Sequence, residues 1–358
     1  MPHVPIASIS VVGVFPVWTV PTLIFSAALG VALRAAAWFT RLLEDLGDQW
    51  SFSPGLLSFV GALGANIPNY AASLAAFAGG HGPIGLDIVV GSNIYNLAVI
   101  LGLVTFAAPG GRGIALAPLE MRDARRVAWL AAVMGVTTWL SVGLFTSPVP
   151  WTMPLLPQAA SLVSLLTVGL FVGLLVHALQ RVPHSVAMRH PPAPTLNPDA
   201  ITLSTSQLAP SAAPTIVGCV FALTLALAGV IIMVQAGQVV GRAVQLPPAI
   251  LSLVVLAVAT SLPNTAVAYQ LARTARAEAS IEEILSSNGI NLALGGALPA
   301  LVWGVRIAEP SLLRVDLPLL SGLGLAVAAF MHARGIPRVV GAGLLGLYAL
   351  WVLTHILT

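Results

Sequence analysis

The sequence predicts an all-α integral membrane protein with ten transmembrane helices in two inverted-topology five-helix repeats. Three observations predict it. Of 358 residues, 58% are hydrophobic and 8% charged, against about 45–50% and about 25% in soluble domains. Ten apolar stretches each approach the length of about 20 residues that a helix needs to cross about 30 Å of hydrocarbon. Two polar segments within those stretches match each other without gaps at an offset of 195 residues. The composition excludes a secreted disulfide scaffold, a nucleic-acid binder and a disordered chain. The single Cys219 permits no internal disulfide.

The apolar stretches fall in order at about 15–38, 53–78, 84–108, 127–146 and 152–179, then 212–238, 247–272, 281–305, 311–332 and 337–357. They are long, continuous and rich in Ala and Leu, so helices are expected and strands are not. No cation precedes the first stretch. It lacks the charged region of a signal peptide and is expected to be retained. Residues 180–211 hold Pro183, Pro191, Pro192, Pro194, Pro198 and Pro210. They read as a linker between a first half, 1–179, and a second half, 212–358.

Positive charge sets the orientation. With the N-terminus outside, Arg242, Arg306 and Arg314 face out while the other twelve arginines face in. Both termini are therefore expected outside and the linker in the cytoplasm, in a plasma or bacterial inner membrane.

The repeat carries the functional argument. ANIPNY at 65–70 and GSNIYNLA at 91–98 match TSLPNT at 260–265 and SSNGINLA at 286–293. The two copies lie within about 60–105 and 255–300 and are five spans apart, so they cross the membrane in opposite directions. Transporters built this way place a substrate site at the bilayer midplane. Pro68 and Pro263 each remove a backbone hydrogen bond within a span, and both are expected to break their helices. Irregular backbone survives in lipid only where protein buries it or where it lines a cavity. Asn66, Asn69 and Ser73 form one helical stripe; Ser92 with Asn96, Thr260 with Asn264, and Ser287 with Asn291 form others. One membrane asparagine is ordinary interhelical glue worth about 0.6–2 kcal/mol. Two matched sets at one spacing point instead to a site, and such oxygens suit a dehydrated cation.

These residues resemble the alpha-repeats of the sodium/calcium exchanger superfamily of cation antiporters, which read G-T-S-x-P-E and then G-S-N-x-x-N or G-S-N-x-x-D. Thr260-Ser261-Leu262-Pro263-Asn264 and Gly91-Ser92-Asn93-Ile94-Tyr95-Asn96 carry the resemblance. It implies a secondary active transporter, not an enzyme, that exchanges cations by alternating access. Spans one and six would move against spans two, three, seven and eight. It implies an ion site of Asn69, Asn96, Asn264 and Asn291, aided by Asn66, Ser92, Thr260, Ser261 and Ser287. No cofactor is implied; the cargo is Na⁺ or Ca²⁺, and the partners are inorganic cations and the lipid bilayer.

The departure lies at the acids. Asn69 and Asn264 stand where the family has a carboxylate after each Pro, and Asn96 and Asn291 hold the other two central positions. Ca²⁺ sites draw affinity from carboxylate charge, so four neutral amides suit Na⁺ better. Amides also offer no titrating group for proton coupling. The alternative is a relative with altered cargo or no transport, acting as a membrane partner or sensor. A membrane enzyme ranks below both, because no H-E-x-x-H or paired catalytic acids occur.

Other polar residues receive structural roles. Asp87 aligns with Glu282, followed by Glu283, and all three are expected to start helices, where acids favour the positive end. His177 and His355 are expected at the membrane interfaces. Gln235 and Gln238 are candidates for an outer vestibule. Arg122, Arg125 and Arg126 are expected to meet lipid headgroups. Nothing in the sequence sets an oligomeric state.

Overall fold

In the computed structural model, which describes residues 16–50, 62–115, 118–145, 155–180, 213–274, 276–304, 310–332 and 335–357, the long apolar runs fold as helices. Straight-chain and alanine-rich runs lose little side-chain freedom there, and a lipid interior leaves backbone groups no partner but each other. In order they are α1 (Thr19–Gln49), α2 (Ile67–Ala78), α3 (Gly82–Ala107), α4 (Pro118–Phe145) and α5 (Leu155–Gln180). They continue as α6 (Ala213–Ala243), α7 (Ile250–Arg273), α8 (Ala277–Ile290, continuing through Trp303), α9 (Leu312–Phe330) and α10 (Arg338–Leu357). Among the described residues, eight helices are long and apolar enough to cross a membrane. α2 spans 12 residues, and residues 51–61 before it lie outside the description, as do residues 181–212, which include nearly all of the expected linker. In α5 the apolar stretch is the shorter Ala160–Val176.

Burial separates a centre from a periphery. The most apolar windows of α3 and α8 are 89% and 78% buried, against 22% for α1 and α10. α3 and α8 therefore form the core, with α2 and α7 packed against them. α1 lies along α6 through small residues: Ala28, Ala32 and Ala35 are buried on one helix, Ala222, Ala226 and Gly229 on the other. A Cβ on Gly229 would stand 3.0 Å from the Ala32 nitrogen and 3.1 Å from the Ala28 carbonyl. Lipid offers no hydrophobic gain for helix association, so such close backbone packing supplies the contact instead. The core uses glycine the same way. A Cβ on Gly91 would overlap the Leu253 carbonyl at the start of α7.

The all-helical expectation needs one correction. Gly113–Ala115 (β1) and Gly335–Pro337 (β2) form a short antiparallel ribbon, with Ile114 opposite Ile336. Both flanking glycines sit at positive φ, 101° for Gly113 and 147° for Gly335, and a side chain on either would overlap a carbonyl of the facing strand. Just after β2, Arg338 donates to the carbonyls of Thr105 and Phe106 at 3.4 and 3.0 Å. It thereby covers oxygens that the end of α3 leaves without helical partners.

His355, expected at a membrane interface, is buried within the bundle against α9. Its Nε2 lies 2.8 Å from Asp316 Oδ1, which also accepts the Trp351 indole N–H at 2.7 Å. The cause is the buried carboxylate of Asp316, past the first turn of α9, which needs partners from within the bundle.

Two outcomes test this packing. Gly91→Ala is expected to destabilise the protein by about 1–3 kcal/mol, because backbone must shift to admit one methyl. Gly322→Ala, which meets nothing within 4 Å, is expected to leave the melting temperature in detergent unchanged. Asp316→Ala should cost about 3–5 kcal/mol by stranding His355 and Trp351. Asp316→Asn, which keeps an acceptor, should cost clearly less in the same thermal unfolding measurement.

Candidate functional site

The core helices leave regular α-geometry where the repeat residues lie. A short helical turn at 62–65 ends at Asn66 (φ −90°, ψ −2°), and α2 restarts at Ile67 with Pro68 in its first turn. The amides of Asn69 and Tyr70 both donate to the Asn66 carbonyl, at 3.0 and 3.2 Å. In α3 a π-helical turn covers Asn96–Ile100, and in α8 another covers Asn291–Ala297. Both begin on matched asparagines. Wide turns of this kind are frequent at functional sites.

Pro263 requires a correction. α7 runs unbroken through it from Ala257 to Arg273, and the irregular geometry lies upstream as a π-helical segment, Ile250–Leu256. Hydroxyls cover nearby carbonyls. Thr260 donates to Leu256 and Ala257 at 2.8 and 3.1 Å, and Thr265 to Ser261 at 3.0 Å. These bonds fall on the Leu256, Ala257 and Ser261 carbonyls and not on the Ala259 carbonyl, which is the one that Pro263 leaves without a helical donor.

The predicted site residues gather in two buried clusters on the same helices, one centred on Asn66 and one on Asn93 with Asn288. Asn66, Asn69, Ser92, Asn93, Asn96, Thr260, Ser261, Asn264, Ser287 and Asn291 are all fully buried. Asn66 is the hub. Its Nδ2 donates to the Ala62 carbonyl and to Ser287 Oγ, both at 2.8 Å. Its Oδ1 accepts from Asn264 at 2.8 Å and from Asn69 at 3.4 Å. An amide has two donors and two acceptor lone pairs, so Asn66 is saturated. Asn69 Oδ1 accepts from Ser92 at 3.2 Å and from Ser261 at 3.4 Å. Thr260 is the exception: its hydroxyl proton goes to its own helix.

A second cluster joins α3 to α8 reciprocally. Asn93 Nδ2 donates to the Asn288 carbonyl at 3.4 Å, and Asn288 Nδ2 to the Asn93 carbonyl at 3.3 Å. Asn96 Nδ2 donates to Asn288 Oδ1 at 2.9 Å, and Asn291 Nδ2 to Asn93 Oδ1 at 3.1 Å. Each bond becomes its partner when residue numbers shift by 195. Among the described residues, the side-chain oxygens of Asn96, Asn264 and Asn291 have no donor. Buried polar atoms are normally paired. Three unmatched amide oxygens are acceptors that a bare cation can use.

Sequence reasoning passed over several of these groups. Asn93 and Asn288 belonged to the matched motif, three residues before Asn96 and Asn291, but were not chosen as site residues. The acids expected to start helices do not. α3 begins at Gly82 and α8 at Ala277, earlier than the apolar pattern indicates, so Asp87 and Glu283 lie past the first turn and inside the bundle. Asp87 Oδ2 accepts from Ser252 at 2.7 Å. Glu283 Oε1 accepts from Ser287 at 3.2 Å, which ties a carboxylate to the network. Gln235 is exposed, and the His177 side chain lies outside the description.

Among curated proteins none matches the sequence. The sodium-calcium exchanger NCX_Mj has the same fold. Its form soaked with 100 mM Na⁺ and 10 mM Sr²⁺ superposes at TM-score 0.59 with 16% identity, over 93% of this chain and 97% of that one. Its form soaked with zero Na⁺ and Ca²⁺ superposes at TM-score 0.57 with 18% identity, over 93% and 98%. The profile of the sodium/calcium exchanger protein family, a family of transporters and not enzymes, matches residues 20–180 and 214–357. The chain therefore belongs to the sodium/calcium exchanger family.

Proposed function

We propose that this protein is a secondary active cation antiporter whose midplane site of amide and hydroxyl oxygens takes a monovalent cation such as Na⁺ in preference to Ca²⁺. The observation that carries the reading is the set of three buried amide oxygens, on Asn96, Asn264 and Asn291, that no donor reaches. They stand on the two clusters of asparagines and serines described above, Asn264 in the one and Asn96 with Asn291 in the other. No acid occupies Asn69, Asn96, Asn264 or Asn291. Amide oxygens can replace the hydration of a singly charged ion, whereas tight Ca²⁺ sites take much of their affinity from ligand charge.

The reciprocal bonds between Asn93 and Asn288 support two inverted five-helix halves that meet at the site. Ten spans, both termini outside and the linker at 180–211 in the cytoplasm of a plasma or bacterial inner membrane complete the reading. α1 and α6, joined to each other by small residues, are the elements that slide past the core as access alternates between the two faces.

Flux into proteoliposomes tests this. Na⁺-loaded vesicles are expected to take up ²²Na⁺ by exchange, with ⁴⁵Ca²⁺ uptake weak or absent. Asn69→Ala combined with Asn264→Ala should abolish uptake at unchanged expression. Unimpaired flux in that variant rejects the site. Strong ⁴⁵Ca²⁺ uptake driven by the Na⁺ gradient and abolished by a Na⁺ ionophore rejects the monovalent preference. No flux of either ion above empty liposomes leaves the chain a non-transporting relative.

A further inference from the structure

We infer that Glu283 is a positioning residue for this site and that, through the Ser287 hydroxyl, it supplies the negative charge the four central asparagines lack. The inference rests on the antiporter reading above. A serine hydroxyl carries one proton and two lone pairs. The Ser287 proton points to Glu283 Oε1 at 3.2 Å, and Ser287 Oγ accepts from Asn66 Nδ2 at 2.8 Å. One lone pair then remains for a cation. Without the carboxylate the hydroxyl is free to turn its proton into the site, where it opposes positive charge.

The effect reaches further along the chain of bonds. Asn66 holds Asn264 and Asn69 through its Oδ1. A carboxylate on α8 thus orients both asparagines that follow the repeat prolines. It also lies about two hydrogen bonds from the network's centre, close enough for its charge to be felt in a weakly screened interior.

The other buried acids are engaged elsewhere, Asp87 with Ser252 and Asp316 with Trp351 and His355. Among the described residues no cationic side chain is paired with Glu283. The position matching Glu283 in the first copy is Ile88, so this device occurs once. A single negative charge balances one monovalent cation and leaves a divalent one uncompensated.

The test is the concentration dependence of ²²Na⁺ exchange by the full chain in proteoliposomes. Glu283→Gln, which keeps the shape and an acceptor but removes the charge, is expected to raise the half-saturating Na⁺ concentration about tenfold. The maximal rate should change far less. Glu283→Asp should recover most of the loss. Ser287→Ala, which cuts the link and keeps the acid, should raise half-saturation comparably, and adding Glu283→Gln to it should change little more. Wild-type half-saturation in Glu283→Gln overturns the inference, as does full additivity with Ser287→Ala. If Glu283→Gln is not recovered folded, Glu283→Asp and Ser287→Ala decide. Wild-type half-saturation in Ser287→Ala then overturns it. Failure of the antiporter reading shows separately, as wild-type protein without flux or as Asn69→Ala with Asn264→Ala at full flux.

Discussion

A polar group sealed inside a membrane protein must find its partner within the protein, and the core is arranged around that constraint. Asn66 meets it completely: every donor and acceptor of its amide is used, across α2, α7 and α8. The break before α2 is what places that side chain at the junction. A continuous helix would hold its backbone in register but would leave no interruption at which one amide could reach three neighbours. The same constraint explains why hydroxyls in α7 turn back onto carbonyls near Pro263, and why Arg338 covers the end of α3.

The interfaces of the molecule are of two physical kinds. Around the network, α2, α3, α7 and α8 are cross-linked by directional bonds that fix both distance and angle. Between α1 and α6, the middle of the contact is made by alanines and glycine, where dispersion at short range does the holding, with Trp38 edge-on to Phe221 and a Gln49–Thr215 hydrogen bond of 3.4 Å towards one end. Directional bonds resist sliding because each must break and be replaced. A small-residue seam resists it less, since one shallow contact can succeed another. The chain thus combines a stiff centre with a peripheral pair held by weaker geometric specification.

Much of this was legible in the sequence because it depended on spacing. The matched asparagines could be placed together since two ungapped motifs at one offset leave little choice about which residues face each other. Spacing also led to the Pro68 interruption. It failed at Pro263, since α7 stays helical through the proline and its irregular geometry lies about two turns upstream. It failed at Asp87 and Glu283 because hydropathy marks where a helix becomes apolar, not where it starts; α8 begins earlier, in the polar run from Ala277, and α3 begins earlier, at Gly82. The pairing of Asp316 with His355, 39 positions apart in sequence, and the ribbon joining β1 to β2 are tertiary. No local pattern announces a partner that the fold alone supplies.

The π-helical turns at Asn96 and Asn291 have a consequence for how one helix can serve two neighbours. A π-turn accommodates roughly one residue beyond the α-helical count, which advances everything after it by about 100° around the axis. Up to the first residue of the turn, α3 directs Ser92, Asn93 and Asn96 to the asparagine clusters. After it, Gly102 and Thr105 meet Gly341 and Leu345 of α10. The turn acts as a phase shifter, so the stripe chosen for ligands and the stripe chosen for packing need not lie on one line. Each can then vary in sequence without rotating the other out of place.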